Sequence, residues 1–199
     1  MQEGDRVPNA ERTARTRDRL VAAARELFVE QGFAATGTPE IVARAGLTRG
    51  ALYHNFADKR ALFAAVVEAE NAAVAAAIDA APGAGGGAME ALRAGAAAYL
   101  AAMQHPGRGR LLLLEAPAVL GSEGARASDA RHGLRTLHEG LETAMAEGAI
   151  PTLPLDALTE VLGAAFDGAA LAVLRGRPLA ETAAAVRALI DGLGQPGRR

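Results

Sequence analysis

The sequence predicts an all-α protein with a small N-terminal helical unit and a larger helical body. Three observations carry this. Apolar residues recur at helical spacing along most of the 199 residues, and no stretch alternates as a strand would. Hydrophobic residues make up 50% and aromatics only 4%, with alanine abundant, a composition that favours helix and supplies a sizeable core. Glycine and proline then cut the pattern into helices of ordinary length, at Gly32, Gly46, Pro82–Gly87, Pro106-Gly107, Pro151/Pro154 and Gly176/Pro178.

Residues 1–15 are polar and carry Gly4 and Pro8, so they read as a flexible arm. Arg6, Arg12, Arg15 and Arg17 could reach phosphates or a minor groove, or simply form a solvated tail diluted by Glu3, Asp5 and Glu11. The first helix spans roughly Thr16 to Gln31, with Leu20, Ala23, Ala24, Leu27 and Phe28 on one stripe. Gly32 ends it, and Phe33 can pack back on Phe28. Thr38 reads as the N-cap of a second helix, with Pro39 at the first helical position. Gly46 suits a left-handed C-terminal residue, with Leu47 folding back toward Val42. Thr48 can cap a very short third helix, roughly Arg49 to Asn55. Asp58 then caps a long helix running to about Ala80, whose far half must belong to the second body. With Ile41, Val42, Leu47, Leu52, Phe56, Leu62 and Phe63, the first stripe closes a small core. Helix, glycine-containing turn, helix is the architecture of a DNA reader.

Pro82–Gly87 is a glycine-rich linker with no strand before it and no Walker lysine, which excludes a phosphate-cradling loop. Helices follow over about 89–104, with Tyr99 and Met103 inward, then 110–117, 125–147, 155–174 and 179–193. The Leu111–Leu114 run is apolar all round, which predicts burial. Glu115 and Asp167 stand out as acids in apolar surroundings, where a carboxylate needs an arginine partner, an exposed edge or a pocket. No cysteine is present, which excludes a disulfide framework, a thiolate metal site or a cysteine nucleophile. No HExxH, nucleophile elbow or paired-carboxylate motif occurs, so neither an enzyme, nor a cofactor, nor a metal site is expected. No apolar run reaches membrane-spanning length uninterrupted and the N-terminus lacks a signal's apolar core, so a cytoplasmic protein without a membrane partner is expected.

The net charge of −2 does not suggest a nucleic-acid binder until it is divided. Residues 1–60 hold 10 basic and 8 acidic side chains, net +2, and the remainder is net −4. One end faces DNA in such a split, on a separate acidic body. The single lysine of the chain, Lys59, lies at this end. Ala45-Gly46-Leu47-Thr48-Arg49-Gly50-Ala51-Leu52-Tyr53-His54-Asn55-Phe56, followed by Lys59 and Leu62-Phe63, resembles the DNA-binding signature of the tetracycline-repressor (TetR) family. The match spans the first third of the chain; beyond it the likeness is one of length and helical pattern. A recognition helix enters the major groove N-terminus first, so Arg49 is placed to pair with guanine. Gly50 and Ala51 permit close approach, and Ala51 can touch a thymine methyl. Thr48, Tyr53, His54 and Lys59 look like phosphate or edge contacts, and the resemblance implies similar roles at matching positions, including Thr38. For Tyr53 the competing reading is a half-buried core ring, and for His54 a solvated residue.

The organisation expected is an arm (1–15), a helix-turn-helix domain (16–63) and an effector-binding and dimerisation domain (64–194). The function expected is a DNA-binding transcriptional regulator. It binds double-stranded DNA at a palindromic operator as a homodimer through the last two helices, and an unidentified small, largely apolar effector releases it. Tyr99, Met103, Leu111, Leu114 and Phe166 are the expected apolar lining of the effector site, with Glu115, Arg135, His138 and Asp167 as polar anchors. The alternative is a constitutive repressor or architectural protein whose second body has a filled core.

Overall fold

A run of alanine-rich amphipathic segments has only one economical state, and the computed structural model, which describes residues 9–81, 83 and 86–194, contains no strand among them. The helices are α1 (Asn9–Ala35), α2 (Thr38–Ala45), α3 (Arg49–Asn55), α4 (Lys59–Asp79), α5 (Ala88–Ala102), α6 (Arg108–Arg110), α7 (Ala116–Ala130), α8 (Gly133–Ala146), α9 (Leu155–Leu174) and α10 (Leu179–Leu193). They sort into two compact units, Met1–Val67 and Glu68–Arg199, and α4 belongs to both.

In the first unit, Leu20, Phe28, Ile41, Leu52, Leu62, Phe63 and Val66 are fully buried. Phe28, Phe33 and Phe63 form an aromatic triangle with ring centroids 5.0–5.7 Å apart. Such pairs contribute beyond their buried area. Gly32 (φ 83°) breaks α1 where the sequence predicts its end, and the hydroxyl of buried Thr36 donates to the Gly32 carbonyl at 2.7 Å. Gly46 (φ 61°) ends α2, and the Leu47 amide reaches back to the Val42 carbonyl at 2.9 Å. Thr48 Oγ1 accepts from the Ala51 amide and Asp58 Oδ1 from the Ala61 amide, capping α3 and α4 as expected. Two expectations shift. α1 starts at Asn9 rather than Thr16, because Glu11 and Arg15 pair one turn apart and carry the helix into the supposed arm. Residues 1–8 of that arm lie outside the described residues. Thr38 is inside α2, whose cap is Gly37; the Gly37 amide donates to the Glu40 carboxylate at 3.0 Å.

The second unit has a core built around Leu92, Leu100, Leu141, Ile150, Leu162, Phe166, Val186 and Ile190. The linker residues 82, 84 and 85 and the tail 195–199 lie outside the described residues. The helix predicted over 125–147 is two helices, broken at Arg131-His132. Both of those side chains bind Glu68 of α4, at 2.6 and 2.8 Å, and His132 takes a non-helical φ/ψ to do so. Ser128, buried, completes the tie: its hydroxyl donates to Glu68 at 2.8 Å and accepts from Asn71 at 2.9 Å. The arginine, together with His132 and Ser128, holds the Glu68 carboxyl down at about 2. A second tie is the buried pair Arg108–Glu70, at 2.8 Å, whose guanidinium also donates to the Ala102 carbonyl.

The Leu111–Leu114 run is not uniformly buried. Residues Leu111–Glu115 form one π-helical turn, with the Ala116 amide bonding the Leu111 carbonyl. The wider turn carries Leu114 round to the outside, where it is 46% exposed, while Leu111 stays in the core. The loop predicted near Gly121–Gly124 is a helical stretch kinked at Gly121 (φ 81°). Two helices, α4 and α9, are long and apolar enough to cross a membrane by length and composition alone, which the sequence pattern had not suggested. α4 carries Glu68, Glu70 and Asn71, all engaged inside the second unit.

Candidate nucleic-acid interface and effector cavity

The turn between α2 and α3 brings Thr38, Arg49 and Tyr53 together. The Tyr53 ring is 44% exposed. Its hydroxyl is bonded to the Thr38 and Arg49 side chains, and Thr38 first, then Arg49, lower its pKa below the ordinary tyrosine value. The Arg49 guanidinium lies 5.5 Å from the Tyr53 ring centroid. Thr48, Arg49, Gly50 and His54 are exposed along the same short helix. Gly50 has ordinary helical φ, and a Cβ added there would meet only Thr48 Oγ1, at 3.8 Å. Nothing within the unit requires glycine at this position, and the space a side chain would take there is open.

Lys59 is placed differently from its expected role. Its ammonium donates to the Phe33 and Thr36 carbonyls, each at 2.8 Å, and sits 4.3 Å from the Phe33 ring centroid. Two of its three donors therefore fasten the end of α1 to the start of α4. Two arginines just past the presumed arm have local duties. Arg17, read from the sequence as a possible phosphate or minor-groove contact, stacks on Phe56 at 4.4 Å, and Arg19, which no periodic signal marked, donates to the Ala45 carbonyl at 2.6 Å, closing the C-terminus of α2.

The second unit contains a cavity of about 290 Å³. Its apolar wall includes Ile78, Leu92, Leu134, Leu137 and Phe166, and its polar lining includes Tyr99, Asp129 and Asp167. Tyr99, Phe166 and Asp167 are thus brought together as the sequence reading placed them. Met103 and Leu111 are buried in the core beyond this wall, and Leu114 faces outward from the π-turn. Glu115 pairs with Arg110 at 3.3 Å, Arg135 with Glu139 at 2.8 Å, and His138 with Asp156 at 3.2 Å, so none of these three lines the cavity. Asp167 finds no arginine; the Tyr99 hydroxyl donates to it at 2.5 Å. Burial raises the Asp167 pKa, partly offset by that bond. Burial, then the negative charge of Asp167, pushes Asp129 up to about 6. Burial followed by Asp167 also pushes Tyr99 up. Asp129 was missed because it sits in the polar stretch Ser128–His132, where an acid looks solvated.

Known proteins resolve what this two-part arrangement is. The family model described as bacterial regulatory proteins of the tetR family matches residues 20–66, and the model of tetracyclin repressor-like C-terminal domains matches residues 89–194. A TetR-family transcriptional regulator from Pectobacterium atrosepticum is 31% identical over 96% of this chain and 100% of its own, with a TM-score of 0.77. RolR, solved in complex with resorcinol, shares the fold at 21% identity, over 91% of this chain and 90% of its own, with a TM-score of 0.70. Curated relatives match over shorter stretches. The transcriptional activator FasR of Mycolicibacterium smegmatis is 42% identical over 65 residues, 33% of this chain and 28% of its own. The repressor BepR of Brucella suis is 39% identical over 54 residues, 27% of this chain and 26% of its own. The chain thus spans about a quarter of the length of the curated relatives it matches. With both of its units matched in order, and a full-length structural relative at 31% identity, the chain belongs to the TetR family of DNA-binding transcriptional regulators.

Proposed function

We propose that this regulator is a cytoplasmic repressor that grips a palindromic operator as a homodimer and lets go when a small, largely apolar molecule enters its second unit. The observation that carries the reading is a partly open, mostly apolar cavity of about 290 Å³ with a few polar groups in its lining, the make-up of a small-molecule site, in the same chain as an exposed reader helix. RolR's complex with resorcinol supports a small-molecule occupant for this architecture. The relatives include an activator and a repressor, so the sign of regulation is part of the proposal.

On DNA, Arg49 pairs with guanine, Ala51 touches a thymine methyl, and Thr38, Thr48, Tyr53 and His54 meet phosphates or base edges, while Lys59 holds the α1–α4 junction behind them. α9 and α10 leave Val161 (66% exposed), Leu189 (51%), Leu174 and Leu179 uncovered beside small residues. A second copy packing against this face forms a four-helix interface and supplies the two-fold symmetry of a palindrome. The effector signal passes through the α7–α8 turn, where Ser128, Arg131 and His132 hold Glu68 and Asn71 of α4 while Asp129 faces the cavity. α4 then runs on to Lys59. The ligand shifts the DNA-binding equilibrium only by preferring the non-binding state.

Selection from random DNA should yield a two-fold symmetric site, and sedimentation should show a dimer at micromolar concentration. A monomer, or an asymmetric site, overturns the dimeric reading. Arg49→Ala should relax preference at one operator position by about 1–3 kcal/mol, measured by competition with single-base variants. A ligand that weakens DNA binding must bind the DNA complex more weakly than the free protein by the same factor. Equal affinity by calorimetry with and without operator overturns the coupling.

A further inference from the structure

The cavity's charge is one-sided. Its lining includes Asp79, Asp129, Glu139 and Asp167 and no lysine, arginine or histidine. The outer two acids are answered, since Arg135 lies 2.8 Å from Glu139 and 3.8 Å from Asp79. The inner two are not. Asp167 receives only a neutral hydroxyl, from Tyr99. Beside Asp129 the described lining holds no lysine or arginine, and His132, three positions on, has its Nε2 bonded to Glu68 at 2.8 Å. Two carboxylates facing an apolar cavity without a cation are costly, and they repel each other.

We propose that the cavity takes an organic cation: an apolar, aromatic-sized body carrying one protonated amine that bridges Asp129 and Asp167. This rests on the effector reading above and names the ligand's chemical class. The apolar wall of Leu92, Leu134, Leu137 and Phe166 receives the body, and the carboxylates receive the ammonium N–H groups in charge-assisted bonds. A metal ion fits less well, because hard cations take six or more oxygen ligands and these walls are largely apolar. Among the described residues no cluster of three or more His, Cys, Asp or Glu is placed to hold one. An anion is excluded by the same two carboxylates. The volume, about 290 Å³, is at the small end of ligand pockets. Asp129 also makes the occupant's charge matter beyond affinity, because its neighbours in sequence, Ser128, Arg131 and His132, are the residues that hold α4. An ammonium drawing Asp129 inward pulls on that turn directly.

Three probes of one shape test the charge. These are 2-naphthylmethylammonium, its neutral isostere 2-ethylnaphthalene, and 2-naphthylacetate, each titrated into the full chain at pH 7.5 by calorimetry or ligand-observed NMR. The expected result is that the cation binds at least about tenfold tighter than the neutral isostere, as charged hydrogen bonds warrant, and that the anion does not bind. The Asp129→Asn/Asp167→Asn variant should keep affinity for the neutral probe while the cation's advantage disappears. Each single Asn variant should lose part of that advantage, which keeps the test intact should the double variant fold poorly. A cation-to-neutral ratio at or below one, a ratio unchanged in the Asn variants, or no binding by any probe overturns the proposal. If the cation-to-neutral ratio is at or below one while operator DNA weakens binding of the neutral probe, the effector reading stands and the charge assignment falls.

Discussion

Gly50 is the residue whose identity the fold explains least and the function explains best. It lies in the first turn of α3, where a glycine adds freedom to the unfolded chain, and a Cβ there meets only Thr48 Oγ1 at 3.8 Å. Gly50→Ala is expected to stabilise the first unit by about 0.5–1 kcal/mol in urea unfolding, yet to weaken operator binding, because the methyl stands where DNA approaches. If affinity is unchanged, the surface around Gly50 does not meet DNA closely. Lys59 poses the opposite case. Its two bonds to the Phe33 and Thr36 carbonyls predict that Lys59→Met lowers the stability of the first unit by about 1–3 kcal/mol in the same assay. Retained stability would return Lys59 to a role at the surface alone. The candidate reader could be named from the sequence because its residues are consecutive, from Thr48 to His54, and one short helix carries them. The role of Lys59 was not legible, because its acceptors are backbone carbonyls more than twenty positions away, and a carbonyl leaves no trace in the choice of residue.

At the scale of the element, boundaries set by local chemistry were readable and those set by distant partners were not. Gly46, Thr48, Asp58, Pro154 and Pro178 mark their helix ends in the sequence itself, and α3, α9 and α10 run over the residues expected. The break between α7 and α8 carries no glycine or proline at Arg131-His132; it exists because Glu68, more than sixty residues earlier, binds both side chains. The π-turn at Leu111–Glu115 is invisible for a similar reason, since four leucines fit an α-turn equally well. Arg108, within the shortest helix, was not singled out at all, although it is buried against Glu70. Breaking a buried pair leaves one charge stranded, so Arg108→Ala should cost the second unit about 3–5 kcal/mol, and Arg108→Met with Glu70→Leu should cost much less. Equal losses in the two variants would show that packing, and not the stranded charge, is what the pair supplies.

For the molecule as a whole, the cavity is where four stretches meet, around residues 78–83, 91–99, 129–140 and 163–167, and only two of them, those of Tyr99 and of Phe166 and Asp167, announced it. Tyr99 and Phe166 lie on apolar stripes, and Asp167 is conspicuous as the only charge between Val161 and Leu174, whereas Asp129 is hidden among polar neighbours. Its burial has a consequence for stability against pH. A carboxyl raised from about 4 to about 6 in the folded chain binds its proton more tightly there than in the unfolded chain. The folded state is therefore favoured at low pH by this group, and that favour is lost as pH rises from about 4 through about 6. Asp129→Asn should gain stability relative to the parent across that window, by on the order of 2–3 kcal/mol, and the gain should be flat above about pH 7. Denaturant unfolding from pH 4 to 8 decides it, and a pH-independent difference would show that the Asp129 carboxyl is not strained by burial. Glu68 works in the other direction: its lowered pKa adds stability that is lost as pH falls through its carboxylate range toward about 2.

The clamp on Lys59 also sets how the chain answers reagents and enzymes that act on amines. It is the only lysine, so it is the only side-chain amine available for acetylation, for isopeptide conjugation or for an amine-reactive dye. With its nitrogen bonded to two carbonyls and stacked on Phe33, acylation must wait for the end of α1 to come loose. The regulator is in effect insulated from lysine-directed signalling while folded, and the rate at which its one side-chain amine is labelled becomes a clock for local opening of the DNA-reading unit.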